Sequence, residues 1–173
     1  MTRAKPSAVQ AAARYIETRP RSIAEVRVHL GRKGYDDDAI DVAIARLQEV
    51  ELLDDASFAR LWVDNRQTHH PRGSAALRNE LYRKGIDRAI IDATLSDTAL
   101  LGDPATQAMS LGRAALRKYA NAPDRATFWR RLGGYLQRRG FTFEVVEPVL
   151  TTLWSELEQS RDRDQNDDLS AET

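Results

Sequence analysis

The side chains best suited to grip a partner are Arg32, Arg83 and Arg138, each two residues before a glycine and each followed by a second cation, Lys33, Lys84 or Arg139. Arginine offers a planar fork of donors that satisfies a phosphate or a carboxylate bidentately, so a set of outward arginines suits an anionic partner. Arg72 and Arg78 add to the middle set, and Arg130 and Arg131 add to the last. Trp62, Tyr82, Trp129 and Tyr135 stand among these cations, and exposed aromatic rings of this kind stack on nucleic-acid bases. A structural reading stands beside this one, since a cation in the last turn of a helix also complements the negative end of the helix dipole, and Lys33, Lys84 and Arg139 fit that role. Trp62 shares an apolar stripe with Phe58 and is read as core; Tyr82 is the aromatic best placed for exposure.

Chemistry of other kinds lacks its residues. The chain has no cysteine, which removes thiolate catalysis, disulfides and the common structural zinc sites. His69 and His70 are adjacent, so they do not face one way on a helix, and no third ligand stands at a suitable spacing. Asp36, Asp37 and Asp38 lack the glycine and distal glutamate of a calcium loop. No phosphate-binding glycine loop, serine elbow or paired-histidine zinc motif is present. The expectation is a binding protein without cofactor or metal.

The elements that position these residues recur three times. Val26, Leu30, Lys33, Gly34, Tyr35 and Asp36 form the first copy of one pattern; Leu77, Leu81, Lys84, Gly85, Ile86 and Asp87 form the second; Leu132, Leu136, Arg139, Gly140, Phe141 and Thr142 form the third. In each, an apolar pair four residues apart marks one helix face, glycine closes the helix in a left-handed conformation, and the last residue caps the next helix. Apolar residues continue at matching offsets: Ile40 and Ile44, Ile91 and Leu95, Val146 and Leu150. Ser7, Ser22 and Asp36 are placed to cap the helices of the first repeat, Asp54 or Asp55 opens the second, and Asp103-Pro104 opens the third. Phe58, Leu61 and Trp62 are expected to point inward together. The third copy drifts, its proline Pro123 lying three residues further from the apolar pair than Pro20 and Pro71 do in theirs. Pro148 falls inside the last helix and predicts a kink or a late start there.

These patterns predict an all-α chain of nine helices in three tandem three-helix repeats, stacked as an elongated, curved array: residues 1–50 with a short flexible N-terminus, 51–102, and 103–158. Residues 159–173 read as a disordered acidic tail whose removal from Arg161 onward should matter little for folding. Charge is uneven within a net of zero. Residues 113–139 hold eight cations against Asp124, whereas 36–55 hold eight carboxylates against Arg46. No run of about twenty apolar residues could span a bilayer, and no apolar stretch follows the charged N-terminus, so a cytoplasmic protein, monomeric, is expected.

The middle repeat resembles the RecX family in its Leu53-Asp54-Asp55 start, Phe58-Ala59, Trp62, Arg66, Gly73, Leu77, Glu80-Leu81 and Lys84-Gly85-Ile86. Leu136, Arg138-Arg139-Gly140-Phe141 resemble that family's C-terminal signature more loosely, and the resemblance extends over residues 22–157. His69-His70-Pro71 and Pro148 depart from it. The resemblance implies a regulator that binds the RecA recombinase filament on single-stranded DNA and lowers its ATPase, strand-exchange and coprotease activities, with ATP hydrolysis belonging to the partner. The alternative is a helical-repeat protein acting directly on nucleic acid.

Overall fold

A computed structural model describes the backbone of residues 5–171 and the side chains of residues 5–163. Among the described residues there is no strand. The helices are α1 (Ala8–Glu17), α2 (Ile23–Arg32), α3 (Asp37–Glu49), α4 (Asp55–His69), α5 (Ser74–Arg83), α6 (Arg88–Leu95), the single turn α7 (Thr98–Leu101), α8 (Pro104–Tyr119), α9 (Arg125–Phe128), α10 (Gly134–Arg138) and α11 (Phe143–Ala171). A π-turn, Trp129–Gly133, joins α9 to α10 without a break. The three-helix repeats are therefore present, with α7 added after the second and the middle helix of the third divided by the π-turn.

Local rules set the boundaries. Ser7 and Ser22 each form a reciprocal capping box, with Gln10 and with Glu25. The Asp36 carboxylate accepts from the Ala39 N–H at 2.8 Å, Asp54 accepts from Ser57 at 2.9 Å, and Asp124 accepts from Thr127 at 2.7 Å. Asp103 caps α8, with Pro104 at the first helical position. Gly34, Gly85 and Gly140 close α2, α5 and α10 at φ of 75°, 76° and 91°. Only glycine adopts this region without a Cβ clash.

The chain divides into two compact units, one running up to Asn65 and taking in Arg78–Leu100, the other comprising Arg66–Leu77 and the chain from Leu101 onward. In the first, α1, α2 and α3 pack on one another around Ala12, Val26, Leu30, Ile40, Ile44 and Leu47. In the second, α8, the π-turn and α11 enclose Phe128, Leu132, Leu136, Val146, Leu150 and Leu153. Each fully buried aliphatic or aromatic side chain contributes about 1.5–3 kcal/mol.

Four expectations are corrected. Leu61 is 55% exposed, because the buried face of α4 runs through Phe58, Ala59 and Val63 and leaves Leu61 on the far flank. The middle helix of the third repeat, expected as one of nine helices, is instead α9, the π-turn and α10, and this stretch, Arg125–Arg138, holds fourteen residues against ten in α2 and ten in α5. An extra four residues overshoots one 3.6-residue turn, and the wider π-turn takes up the overshoot, so Leu132 and Leu136 still face the core. This is the physical origin of the drift in the third copy. Pro148 sits exposed within α11, which begins at Phe143 and continues past it.

The fourth correction concerns the C-terminal stretch. No glycine or proline follows Pro148 before Ala171, and α11 carries on to that residue; residues 172–173 of the expected tail lie outside the described ones. Arg161 is anchored, its Nη2 donating to the carbonyls of Ala120 at 2.6 Å and Ala122 at 3.0 Å, with its guanidinium 5.4 Å from the Trp154 ring centre. It satisfies carbonyls at the end of α8 that the Asn121–Pro123 break would otherwise leave open.

Candidate functional site

The structure sorts the predicted binding residues into two groups, one in each unit. In the first unit, Arg32, Tyr82, Arg83 and Lys84 border one open cavity of about 360 Å³. Tyr82 is 74% exposed. Arg32 and Arg83 are exposed, and among the described residues neither has a carboxylate partner; Arg83 Nε donates to the Asn79 carbonyl at 3.1 Å. Arg32 keeps its guanidinium donors, and Arg83 its two Nη groups, for an anion. Lys84 is different: its Nζ lies 2.9 Å from Glu25 Oε1 and 4.8 Å from the centre of the Trp62 ring. Half-buried Trp62 in turn donates from Nε1 to Glu80 at 2.9 Å. Lys84 thus walls the cavity, held there by an ion pair with Glu25 that its place at the end of a helix did not announce. Arg78 is tied to Asp92 across the exposed faces of α5 and α6.

The far wall consists of residues that sequence reasoning missed. His29 stacks flat on Tyr15, with ring centres 3.8 Å apart, and the Arg21 guanidinium covers the same tyrosine at 4.0 Å. The only sequence signal was His29 standing one turn ahead of Arg32 and Lys33 on α2. Burial, followed by the positive charges of Lys33, Arg21 and Arg32, pushes His29 below its ordinary pKa. Burial acts to raise the Glu25 pKa, but the Lys84 hydrogen bond, the Ser22 N–H and the charges of Lys84 and Arg19 outweigh it and leave it lowered. The cavity is therefore electropositive, with its one carboxylate already neutralised.

In the second unit, Arg130 and Arg131 lie on the π-turn and Arg138 on α10, all exposed and none in an ion pair among the described residues. The positive charge of Arg130 helps to hold the Asp124 carboxylate below its usual range, after the Thr127 hydrogen bonds and against desolvation. Arg139 is half-buried, its guanidinium 5.1 Å from the Tyr135 ring centre. Trp129 and Tyr135 pack against the core of this unit and offer no free ring face of the Tyr82 kind. Arg72 is likewise half-buried, its backbone N–H directed at Gln67 Oε1 at 3.4 Å. Among the described residues, no three His, Asp or Glu side chains are placed to hold a metal ion, and no helix is long and apolar enough to cross a membrane.

One arrangement recurs in both units. The Ser22 hydroxyl donates to the Lys84 carbonyl at 2.7 Å, and the Gly73 N–H donates to the Arg139 carbonyl at 2.9 Å. Ser22 and Gly73 hold the same place at the start of a repeat's middle helix, and Lys84 and Arg139 hold the same place at the end of the next one. Each joint satisfies a carbonyl left open at a helix C-terminus.

Comparison with known proteins matches all three repeats. The RecX first three-helix domain matches residues 8–47, the RecX second three-helix domain residues 54–95, and the RecX third three-helix domain residues 103–150. The chain is 38% identical over 149 residues to the regulatory protein RecX of Mycobacterium avium, covering 86% of each. It is 36% identical over 155 residues to that of Mycolicibacterium vanbaalenii, covering 87% of this chain and 82% of the relative. The crystal structure of RecX from Lactobacillus salivarius superposes with a TM-score of 0.73 at 21% identity, over 84% of this chain and 94% of that one, which speaks for the fold.

Proposed function

The chain belongs to the RecX family, and from that membership we propose that it is a non-catalytic regulator docking on the RecA recombinase filament on single-stranded DNA. In this reading it lowers the filament's ATPase, strand-exchange and coprotease activities and so restrains recombination and repair. The observation that carries the proposal is the match of every repeat, in order, to one family of regulators. The exposed Arg130 and Arg131 on the π-turn supply the anion-binding chemistry such docking needs, since a filament presents carboxylates and phosphates. Several weak contacts spread over different repeats would hold through avidity and still release.

A second reading is favoured by the first-unit cavity. Tyr82 exposed beside Arg32 and Arg83 is a stacking platform flanked by phosphate-binding forks, as a direct single-strand binder uses. Recombinase ATPase measured on single-stranded DNA against increasing amounts of this protein separates the two, with anisotropy on bare labelled DNA at matched salt. Inhibition at levels too low to coat the DNA supports filament docking. Inhibition only once bare DNA is saturated replaces it with competition for the lattice. Within the first reading, Arg130→Glu with Arg131→Glu should weaken inhibition at least tenfold while the melting temperature stays near wild type.

A further inference from the structure

The first unit carries another groove, of opposite polarity to the basic cavity. It encloses about 490 Å³ between the end of α1, the α3–α4 connection and α4. Ile16, Phe58, Leu52 and Leu61 line it, and the last two are 61% and 55% exposed, large apolar side chains left uncovered on a charged chain. Its rim bears Glu17, Glu51 and Asp54. The cations at its edge are engaged elsewhere: Arg19 pairs with Glu25 at 3.3 Å, and Arg21 lies over Tyr15. Among the described residues Glu17 and Glu51 form no ion pair, so the groove joins apolar surface to a rim whose three carboxylates outnumber Arg19 and Arg21.

Glu51 adds a second peculiarity. It is the one non-glycine residue at positive φ among the described residues, at 55°, in the position after a helix where α2, α5 and α10 use glycine. A glutamate held in this strained conformation, with its carboxylate on a groove rim, is the kind of residue retained for contact rather than stability.

We propose that this groove docks a segment of a protein partner that presents a large apolar side chain next to a lysine or arginine. The excess of carboxylates on the rim disfavours a phosphate-rich occupant, and it equally disfavours the chain's own end, where residues 158–173 hold six carboxylates against two cations. Taking the recombinase as that partner rests on the function proposed above.

The test measures affinity for the recombinase filament on single-stranded DNA, with bare-DNA anisotropy and thermal melting alongside, for wild type, Leu61→Asp and Glu51→Gly. Both variants should bind filament at least tenfold more weakly with bare-DNA binding unchanged. Glu51→Gly should also melt about 2–4 °C higher, because glycine relieves the backbone strain while removing the carboxylate. A merely structural Glu51 would give the higher melting temperature with unaltered filament binding. If wild type binds filament and both variants match it, the groove is not a docking site and the proposed function stands. If Leu61→Asp melts early, Glu51→Gly alone decides. If wild type does not bind filament, the proposed function falls and the recombinase as occupant falls with it.

Discussion

The two joints between successive middle helices do the same work with different atoms. At the first, a buried serine hydroxyl reaches the Lys84 carbonyl, and a Cβ added to Gly85 would lie 2.4 Å from Ala24 Cβ. At the second there is no side chain at all: the Gly73 backbone itself donates, and a Cβ on Gly73 would lie 2.1 Å from the Gly140 carbonyl oxygen. Gly140 is equally confined, since a Cβ there would lie 2.5 Å from the Ala76 backbone nitrogen. Gly34, in the first repeat, keeps its positive φ, but a Cβ there would meet only Lys5, whose Nζ donates to the Gly34 carbonyl at 2.9 Å. What repeats is therefore a satisfied helix terminus and a close approach, and the residue types follow from how near the backbones come.

The contrast can be broken most severely at the second joint. Gly73→Ala should cost more than about 3 kcal/mol in urea denaturation, because backbone rather than a flexible side chain stands in the way. Next in size, Gly85→Ala should cost about 2–3 kcal/mol, but only about 1 kcal/mol, from left-handed strain, when made in an Ala24→Gly background and compared with that single variant. An undiminished cost in that background would mean that the Ala24 contact does not set the first joint. Ser22→Ala should cost about 1–2 kcal/mol, through loss of the α2 cap and a stranded Lys84 carbonyl. Gly34→Ala is the control, with about 1 kcal/mol of strain and no joint to disturb.

The smallest effect distinguishes the joints by pH. Glu25 braces the first through Lys84, and its folded pKa lies below the ordinary 4.5. Its contribution is complete above that ordinary value and is lost as pH falls through the folded pKa. Glu25→Gln should flatten the acid side of the denaturation midpoint plotted against pH. In the second joint the corresponding cation lies over Tyr135 rather than on a carboxylate, so Arg139→Gln should leave the acid limb as it is.

Caps and closing glycines were legible because they obey local rules: Ser7, Ser22, Asp36 and Asp103 each satisfy N–H groups within three residues, and Gly34, Gly85 and Gly140 each end a helix. The exposure of Arg32, Arg83 and Arg138 followed from their place opposite the apolar pairs, while Tyr82 was only the best candidate among the aromatic residues. What escaped depends on partners distant in sequence. Lys84 looked like a dipole cation until Glu25, 59 residues away, was placed beside it. Leu61 looked internal until Ala59 and Val63 turned the buried face of α4 away from it. Asp55 turned inward to the Ile23 N–H at 2.9 Å, where burial raises its pKa, while Asp54 took the cap that either residue could have supplied. Arg161 fell where apolar periodicity ends, and periodicity carries no information about a guanidinium capping a helix 41 residues back.

The division of α5 between the two units bears on the order in which the chain becomes stable during synthesis. Once Leu100 has left the ribosome, every residue of the first unit is available, including both sides of the Ser22 joint. Gly73, although made early, has no acceptor until Arg139 follows, and α8 lacks its broad contact with α11 until later still. A nascent chain halted near residue 100 would thus expose the first turn of α5 as an unclosed edge, the natural point for a chaperone to wait.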